Sequence, residues 1–99
     1  PRRRNISIDD IQKVVAEHYN LRITELRSTH RHKAVARPRQ VAMYLCRKHL
    51  KKSYPVLAES FDRRDHTTVL NACKKIERLL KADQELVGEI SQIERKITE

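Results

Sequence analysis

Apolar residues recur every three or four positions along most of the chain, which is the pattern of amphipathic helices. The first such segment follows Ser7, a favourable N-cap, and continues to Tyr19, where Asn20 suits a C-terminal stop. Thr24 can cap one or two further turns, which end at Arg27. No segment alternates with a period of two for long enough to predict a strand, so we expect an all-α bundle of five or six helices.

A third helix is predicted from Pro38 onward, because a proline in the first helical turn lacks only an N–H that has no partner there. Residues 28–36, which precede it, show no sustained periodicity and are interpreted as a basic loop. The apolar stripe of this helix includes Cys46, and that of the next long helix includes Cys73. We therefore expect both cysteines to be reduced core thiols.

A helix-turn-helix layout occupies the second half of the chain. A short helix over Pro55–Phe61 is followed by a turn at Asp62–Arg64 and by a long helix that starts at His66 and is capped by Asp65. A last helix, over about Gln84–Ile97, repeats apolar residues at spacings of 4, 3 and 4. Helix pairs occur in every all-α domain, so the layout alone does not specify a function.

The charge of this 99-residue chain is concentrated in one segment. Its 22 Lys and Arg exceed its 13 Asp and Glu, which leaves a net charge of +9. Nine of the basic residues and none of the acidic ones lie between Arg27 and Lys52, so this segment alone accounts for the net charge. A block of one sign attracts polyanions; nucleic acid is the leading candidate and an acidic membrane surface the second.

Composition argues against an enzyme. The single glycine excludes the glycine-rich loops that bind nucleotide phosphates, so no cofactor is expected in this chain. The basic segment holds no carboxylate for a catalytic metal ion, and the pair His30 and His32 has no nearby third ligand. We therefore expect neither catalytic residues nor a metal site.

The first turn of the helix that follows Asp62–Arg64 carries side chains suited to reading bases, and helix-turn-helix proteins place this turn in the major groove. Asp65 can accept a hydrogen bond from cytosine, and His66 can donate one to a purine. Thr67 and Thr68 can contact a thymine methyl group, a base edge or a phosphate. The simpler alternative, in which Asp65 and Thr68 only cap the helix, stays open on these residues alone.

Two stretches carry a more specific signal. Residues 64–76, RDHTTVLNACKKI, resemble the signature of the C-terminal DNA-binding domain (domain IV) of the bacterial chromosomal replication initiator DnaA family. Residues 36–45, ARPRQVAMYL, are similar to the basic-loop and helix motif of the same family. The resemblance extends from about Ile6 to Ile97, and both motifs occur in the family's order and spacing.

The resemblance implies a helical bundle with a helix-turn-helix related to that of the Trp repressor. Such a domain would bind a nine-base-pair DnaA box in double-stranded DNA, with its recognition helix in the major groove and a loop arginine in the adjacent minor groove. By position, the base-contacting residues would be Arg31, Asp65, His66, Thr67 and Thr68. The contacts to the DNA backbone would be made by Lys33, Arg37, Arg39, Gln40, Arg47, Tyr54, Pro55, Asn71 and Lys75.

The resemblance also implies a domain organisation. Residues 1–5 would end the connection to an upstream ATPase module that binds and hydrolyses ATP, and residues 6–99 would form the DNA-binding domain. The start at Pro1 and the single Met43 agree with an excised domain. The isolated domain would be a monomer, and the full-length protein would assemble on the replication origin through its other domains. Its location would be the cytoplasm, on the bacterial nucleoid. Acidic phospholipid and regulatory proteins are further candidate partners.

Two other functions remain as alternatives. A helix-turn-helix transcription regulator would use the same residues. A membrane or protein-interaction module would use the basic amphipathic helix over Arg37–Lys52 or the apolar seam of Gln84–Ile97. A mobility shift of a box duplex, but not of a scrambled duplex, would favour the initiator function over both the membrane and the protein-docking functions.

The chain departs from the family's usual pattern at two places. Family members often carry glycine in the turn before the signature, where this chain has Asp62–Arg64. Aspartate tolerates a left-handed conformation, so we expect the turn to form. The loop has Thr29, His30 and His32 at places that are often Lys, Arg or Ser, and the two histidines would make minor-groove binding depend on pH.

Overall fold

The computed structural model describes residues 5–29 and 31–98, so the predictions for Pro1–Arg4 and His30 lie outside the described residues. The described residues form six α-helices and no β-strand, which confirms the expected all-α fold. The helices are α1 (Ile8–His18), α2 (Ile23–Leu26), α3 (Lys33–Leu50), α4 (Tyr54–Ser60), α5 (Thr67–Leu80) and α6 (Gln84–Thr98).

Helix α1 begins and ends as its sequence predicts. The Ser7 hydroxyl accepts a hydrogen bond from the Asp10 backbone N–H at 3.1 Å, and the Ser7 N–H donates to the Asp10 carboxylate at 3.0 Å. This reciprocal pair is a capping box, which supplies partners to two N–H groups that the helix itself leaves free. At the other end Asn20 has a φ of 59°, the left-handed conformation that stops a helix.

Helix α3 begins five residues earlier than predicted, at Lys33 instead of Pro38. The His32 carbonyl accepts the backbone N–H groups of Val35 and Ala36, at 2.9 and 2.7 Å, and so starts the helix. Pro38 therefore lies inside the helix, where it removes the hydrogen bond to the fourth residue before it. Because Val35 and Pro38 are both buried, tertiary packing offsets that loss. The basic loop is correspondingly shorter and ends at His32.

Helix α3 is the centre of the bundle and packs against α1, α2, α4 and α5. Both thiols are buried and unpaired: Cys46 is 0% exposed and Cys73 4%. Helix α6 covers α1 and α5 with the apolar residues of its predicted seam, Leu86, Ile90, Ile93 and Ile97, none more than 6% exposed. The apolar faces of α3 and α6 are thus buried inside this domain and are not exposed to a membrane or a partner helix. Among the described residues no helix is long and apolar enough to cross a bilayer.

The turn between α4 and α5 forms without glycine. Asp62 has a φ of 56°, as expected for an aspartate that replaces glycine in a left-handed position. The Asp62 N–H donates to the Glu59 carbonyl at 3.1 Å and the Arg63 N–H to the Ala58 carbonyl at 2.8 Å. This pair of bonds is a Schellman motif, which ends α4 and holds the Arg63 backbone in place.

Candidate nucleic-acid interface

The first turn of α5 presents its polar side chains to solvent. Residues 65–68 are all exposed, and the helix begins at Thr67, one residue later than predicted. The Asp65 carboxylate accepts the Thr67 backbone N–H at 2.9 Å, which confirms its predicted capping role. This backbone bond, followed by one from the Thr67 hydroxyl, lowers the pKa of Asp65, so the side chain is an anion at neutral pH. Base-edge donors and acceptors are therefore exposed where a recognition helix would enter DNA.

A surface groove between α3 and α5 brings several predicted backbone contacts together. Thr68, Asn71 and Lys75 follow one another at helical spacing and line one side of it. Gln40 of α3 lines the other side. The groove begins at the exposed first turn of α5. A nucleic-acid strand that contacted residues 65–68 could therefore continue along these polar side chains.

A second groove lies farther along α3, where it meets α4 and α5. The Arg47 guanidinium stacks over the Tyr54 ring, 4.2 Å from the ring centre, and its Nη1 donates to the Lys52 carbonyl at 2.6 Å. Tyr54 begins α4, and the exposed Pro55 follows it. The cation–π contact and the hydrogen bond hold the Arg47 charge at the start of α4. Two predicted contacts from consecutive helices, Arg47 of α3 and Tyr54 of α4, are thus adjacent in space.

Arg39 has an internal role that its sequence position did not indicate. It is 7% exposed, and its Nε donates to the Leu26 carbonyl at 3.0 Å. Its Nη2 lies 3.4 Å from the Ser28 hydroxyl. Burial, and then the charge of Arg63, lower the pKa of Arg39. The guanidinium lines the α3–α5 groove, but its hydrogen bonds go to residues 26 and 28, where the basic loop begins.

The remaining predicted cations occupy different surroundings. Arg31 and Lys33 are exposed at the end of the loop and the start of α3. Arg37 is half-buried. Burial and then Glu89 raise the pKa of the Tyr19 phenol of α1, and the charge of Arg37 lowers it by a smaller amount. Tyr19 itself donates to Glu89 of α6 at 2.8 Å. The structure therefore does not bring Arg37 together with the α3–α5 groove.

Two cations of the basic segment, one near each end, pair with carboxylates of other helices. Arg27 pairs with Asp9 of α1 at 2.9 Å, and Lys48 pairs with Glu94 of α6 at 2.6 Å. The field of the segment is consequently weaker near Arg27 and Lys48 than its sequence indicates. Among the described residues no three His, Cys, Asp or Glu side chains are grouped to hold a metal ion.

Comparison with known proteins shows which family has this helix-turn-helix. Residues 8–76 match the family described as "Bacterial dnaA protein helix-turn-helix". The chain belongs to this family. The DnaA helix-turn-helix is a DNA-binding, non-catalytic domain of replication initiation, in agreement with the exposed first turn of α5 and the polar groove beside it.

Relatives and a solved structure agree with the DnaA family. The chain is similar to "Chromosomal replication initiator protein DnaA" of Rhizobium meliloti (strain 1021), with 47% identity over 96 residues, 97% of this chain and 20% of that protein. It is 44% identical to the protein of the same name from Wolbachia sp. subsp. Brugia malayi (strain TRS) over 92 residues, 93% of this chain and 20% of the relative. A crystal structure described as a DNA replication initiation factor matches with a TM-score of 0.78 and 33% identity, over 91% of this chain and 29% of that one. The chain thus spans about a fifth of the length of these curated relatives.

Two basic residues that line these grooves were not among the contacts expected from sequence. Lys74 lines the groove that holds Arg47 and Tyr54; it lies seven residues after Thr67 and so on the same face of α5, a spacing that could have revealed it. Arg63 lines the α3–α5 groove, but its side chain also reaches the base of the basic loop. No sequence signal indicates that contact, because its partners are backbone carbonyls 35 and 36 residues away.

Proposed function

We propose that this chain binds nine-base-pair DnaA boxes in the double-stranded DNA of a bacterial replication origin and so recruits the initiator to it. The observation that supports this most directly is the exposed set Asp65–Thr68 at the start of α5, next to a groove lined by Gln40, Asn71 and Lys75. Asp65–Thr68 would read bases in the major groove, and Arg31 would enter the adjacent minor groove.

Affinity and sequence specificity would come from two different kinds of contact. Side chains along the grooves, Arg47 and Lys75 among them, would hold phosphates and would not distinguish sequences. The first turn of α5 would supply the discrimination, because each base pair offers a distinct donor and acceptor pattern in the major groove. Whole-protein properties of the family, such as ATP-dependent assembly on the origin and a location on the nucleoid, would depend on the other domains.

The test measures fluorescence anisotropy with a box duplex and a scrambled duplex at two salt concentrations. We expect Thr67→Ala and His66→Ala to weaken box binding by about 1–3 kcal/mol and to leave scrambled binding nearly unchanged. Thr98→Ala, at the far end of α6, is the matched control. An equal loss on both duplexes would show that Thr67 and His66 do not read bases.

The backbone contact is tested by the salt dependence. Arg47→Ala should weaken binding to both duplexes and flatten the logarithmic salt slope by about 0.9. Arg95→Ala removes the same charge from an exposed position on α6 and should change the slope far less. Equal slopes for Arg47→Ala and wild type would contradict the phosphate contact. Arg31→Ala should abolish the preference for an A·T-rich minor groove at one end of the site, and an unchanged preference would contradict its role.

A further inference from the structure

Two arginines from different parts of the fold hold the short segment where the basic loop begins. Arg39 of α3 donates to the Leu26 carbonyl at 3.0 Å and lies 3.4 Å from the Ser28 hydroxyl. Arg63, in the turn before α5, donates through Nη2 to the Ser28 carbonyl at 2.7 Å and through Nη1 toward the Arg27 carbonyl at 3.4 Å. Residues 26–28, from the end of α2 to the first residue of the basic loop, are therefore tied to both α3 and the turn before α5.

Arg63 also bonds to its own turn, since its Nη1 donates to the Phe61 carbonyl at 3.0 Å. One planar guanidinium thus joins carbonyl oxygens of residues 27, 28 and 61. Burial lowers the pKa of Arg63, and the charge of Asp62 opposes this effect. The guanidinium is therefore a partly desolvated cation whose hydrogen bonds connect three backbone carbonyls. A desolvated cation makes stronger hydrogen bonds than one in water.

The location of Arg63 connects the two candidate reading elements. Asp65 lies two residues after it, and Arg31 lies three residues after Ser28. An extended chain spans about 3.3–3.6 Å per residue, so three residues allow a Cα separation of at most about 11 Å. A bond between Arg63 and Ser28 consequently restricts how far the loop can move from the first turn of α5.

We propose that Arg63 is a positioning residue for DNA recognition. It holds the base of the basic loop at one distance from the first turn of α5, so that Arg31 and the recognition residues meet adjacent grooves of the same duplex without a separate ordering step. The proposal rests on the proposed function for the grooves themselves. Preorganisation of this kind improves specific binding and leaves the sequence-independent attraction to phosphates unchanged.

The test uses Arg63→Lys, which keeps the charge and loses the planar fork that joins three carbonyls. Arg78→Lys, exposed in the last turn of α5, is the matched control. We expect Arg63→Lys to lower box affinity about tenfold while scrambled affinity changes less than about twofold. Backbone order parameters of Ser28, Thr29 and Arg31 in the free protein should fall in Arg63→Lys and not in Arg78→Lys.

A double-mutant cycle then tests whether Arg63 acts through Arg31. If Arg63 acts through the loop, Arg63→Lys should cost little further box affinity once Arg31→Ala is present. Additive losses, equal losses on box and scrambled duplexes, or unchanged loop order parameters would each overturn the proposal. Equal affinity of the wild-type protein for the two duplexes would instead contradict the proposed function, and the order parameters would still decide whether Arg63 holds the loop.

A measurement on the wild-type protein covers the case in which Arg63→Lys does not fold. NMR of the guanidinium groups should show slower rotation about Nε–Cζ for Arg63 than for the exposed Arg78. Equally fast rotation of the two groups would overturn the proposal that Arg63 holds the base of the loop.

Discussion

Gln12 of α1 joins three elements from a position that is 1% exposed. Its Nε2 donates to the Ser60 carbonyl at 3.0 Å, at the end of α4. Its Oε1 accepts from Arg27 Nε at 3.1 Å and Nη2 at 2.7 Å, at the start of the basic segment. We expect Gln12→Ala to lower the free energy of unfolding by about 3 kcal/mol, because both partners lose a bond and a small cavity forms.

The magnitude comes from three contributions of similar size. The half-buried Ser60 carbonyl loses its side-chain donor, which costs about 1 kcal/mol. The bonds to Arg27 are discounted to about 1 kcal/mol, because that side chain is 34% exposed and keeps its pair with Asp9. The loss of the packed methylene costs about a further 1 kcal/mol. At about 4–8 °C per kcal/mol for a domain of this size, the melting temperature should fall by about 12–24 °C.

Urea unfolding followed by circular dichroism measures this effect. Gln92→Ala, the same change at an exposed position on α6, is the control and should stay within about 0.5 kcal/mol of the wild type. A loss below about 1 kcal/mol for Gln12→Ala would refute the reasoning that its bonds contribute net stability. A similar loss for Gln92→Ala would attribute the effect to the helices in general.

Two further predictions concern titratable groups. Burial alone raises the pKa of Glu94, but hydrogen bonds from Lys48 and His49 outweigh it and lower the pKa. Because the folded-state pKa lies below the unfolded value of about 4.3, the stabilisation is present above that value and is lost as the pH falls through the folded pKa. Glu94→Gln should therefore destabilise the domain by about 1 kcal/mol at pH 7 and progressively less at acid pH. The control, Glu59→Gln at an exposed position, should leave stability nearly unchanged. A difference in urea midpoints between Glu94→Gln and wild type that does not vary with pH would contradict this. Burial raises the pKa of Cys46 to about 12, so its thiol at pH 8 should react with a maleimide about a thousandfold more slowly in the native than in the urea-unfolded protein. Comparable rates in the two states would show that Cys46 is accessible.

Helix α6 illustrates what local pattern predicts well. The spacing of its apolar residues defines one face, and all four residues of the seam are buried. The caps at Ser7 and Asp65 are equally local, since each side chain bonds to an N–H two or three residues away. Such interactions depend only on neighbours in the chain, and for this reason they could be predicted from the sequence.

The start of α3 shows where the same reasoning fails. A proline is a strong signal for the first turn of a helix, yet Pro38 lies in the interior of α3. Val35, in the added part of the helix, is 8% exposed, and we infer that the burial of this part outweighs the lost hydrogen bond. Local propensity is a weak preference that tertiary packing overrides.

The sequence by itself determined the helical bundle, the concentration of positive charge between Arg27 and Lys52, and the identity of the exposed residues at the start of α5. The tertiary structure decided which charges are available to a ligand. It turned Arg39 and Arg63 toward the carbonyls of residues 26–28 and paired Lys48 with Glu94. The physical reason is that helical periodicity arises from bonds three or four residues apart, whereas the partner of a long cationic side chain is set by segments that meet only in the folded chain.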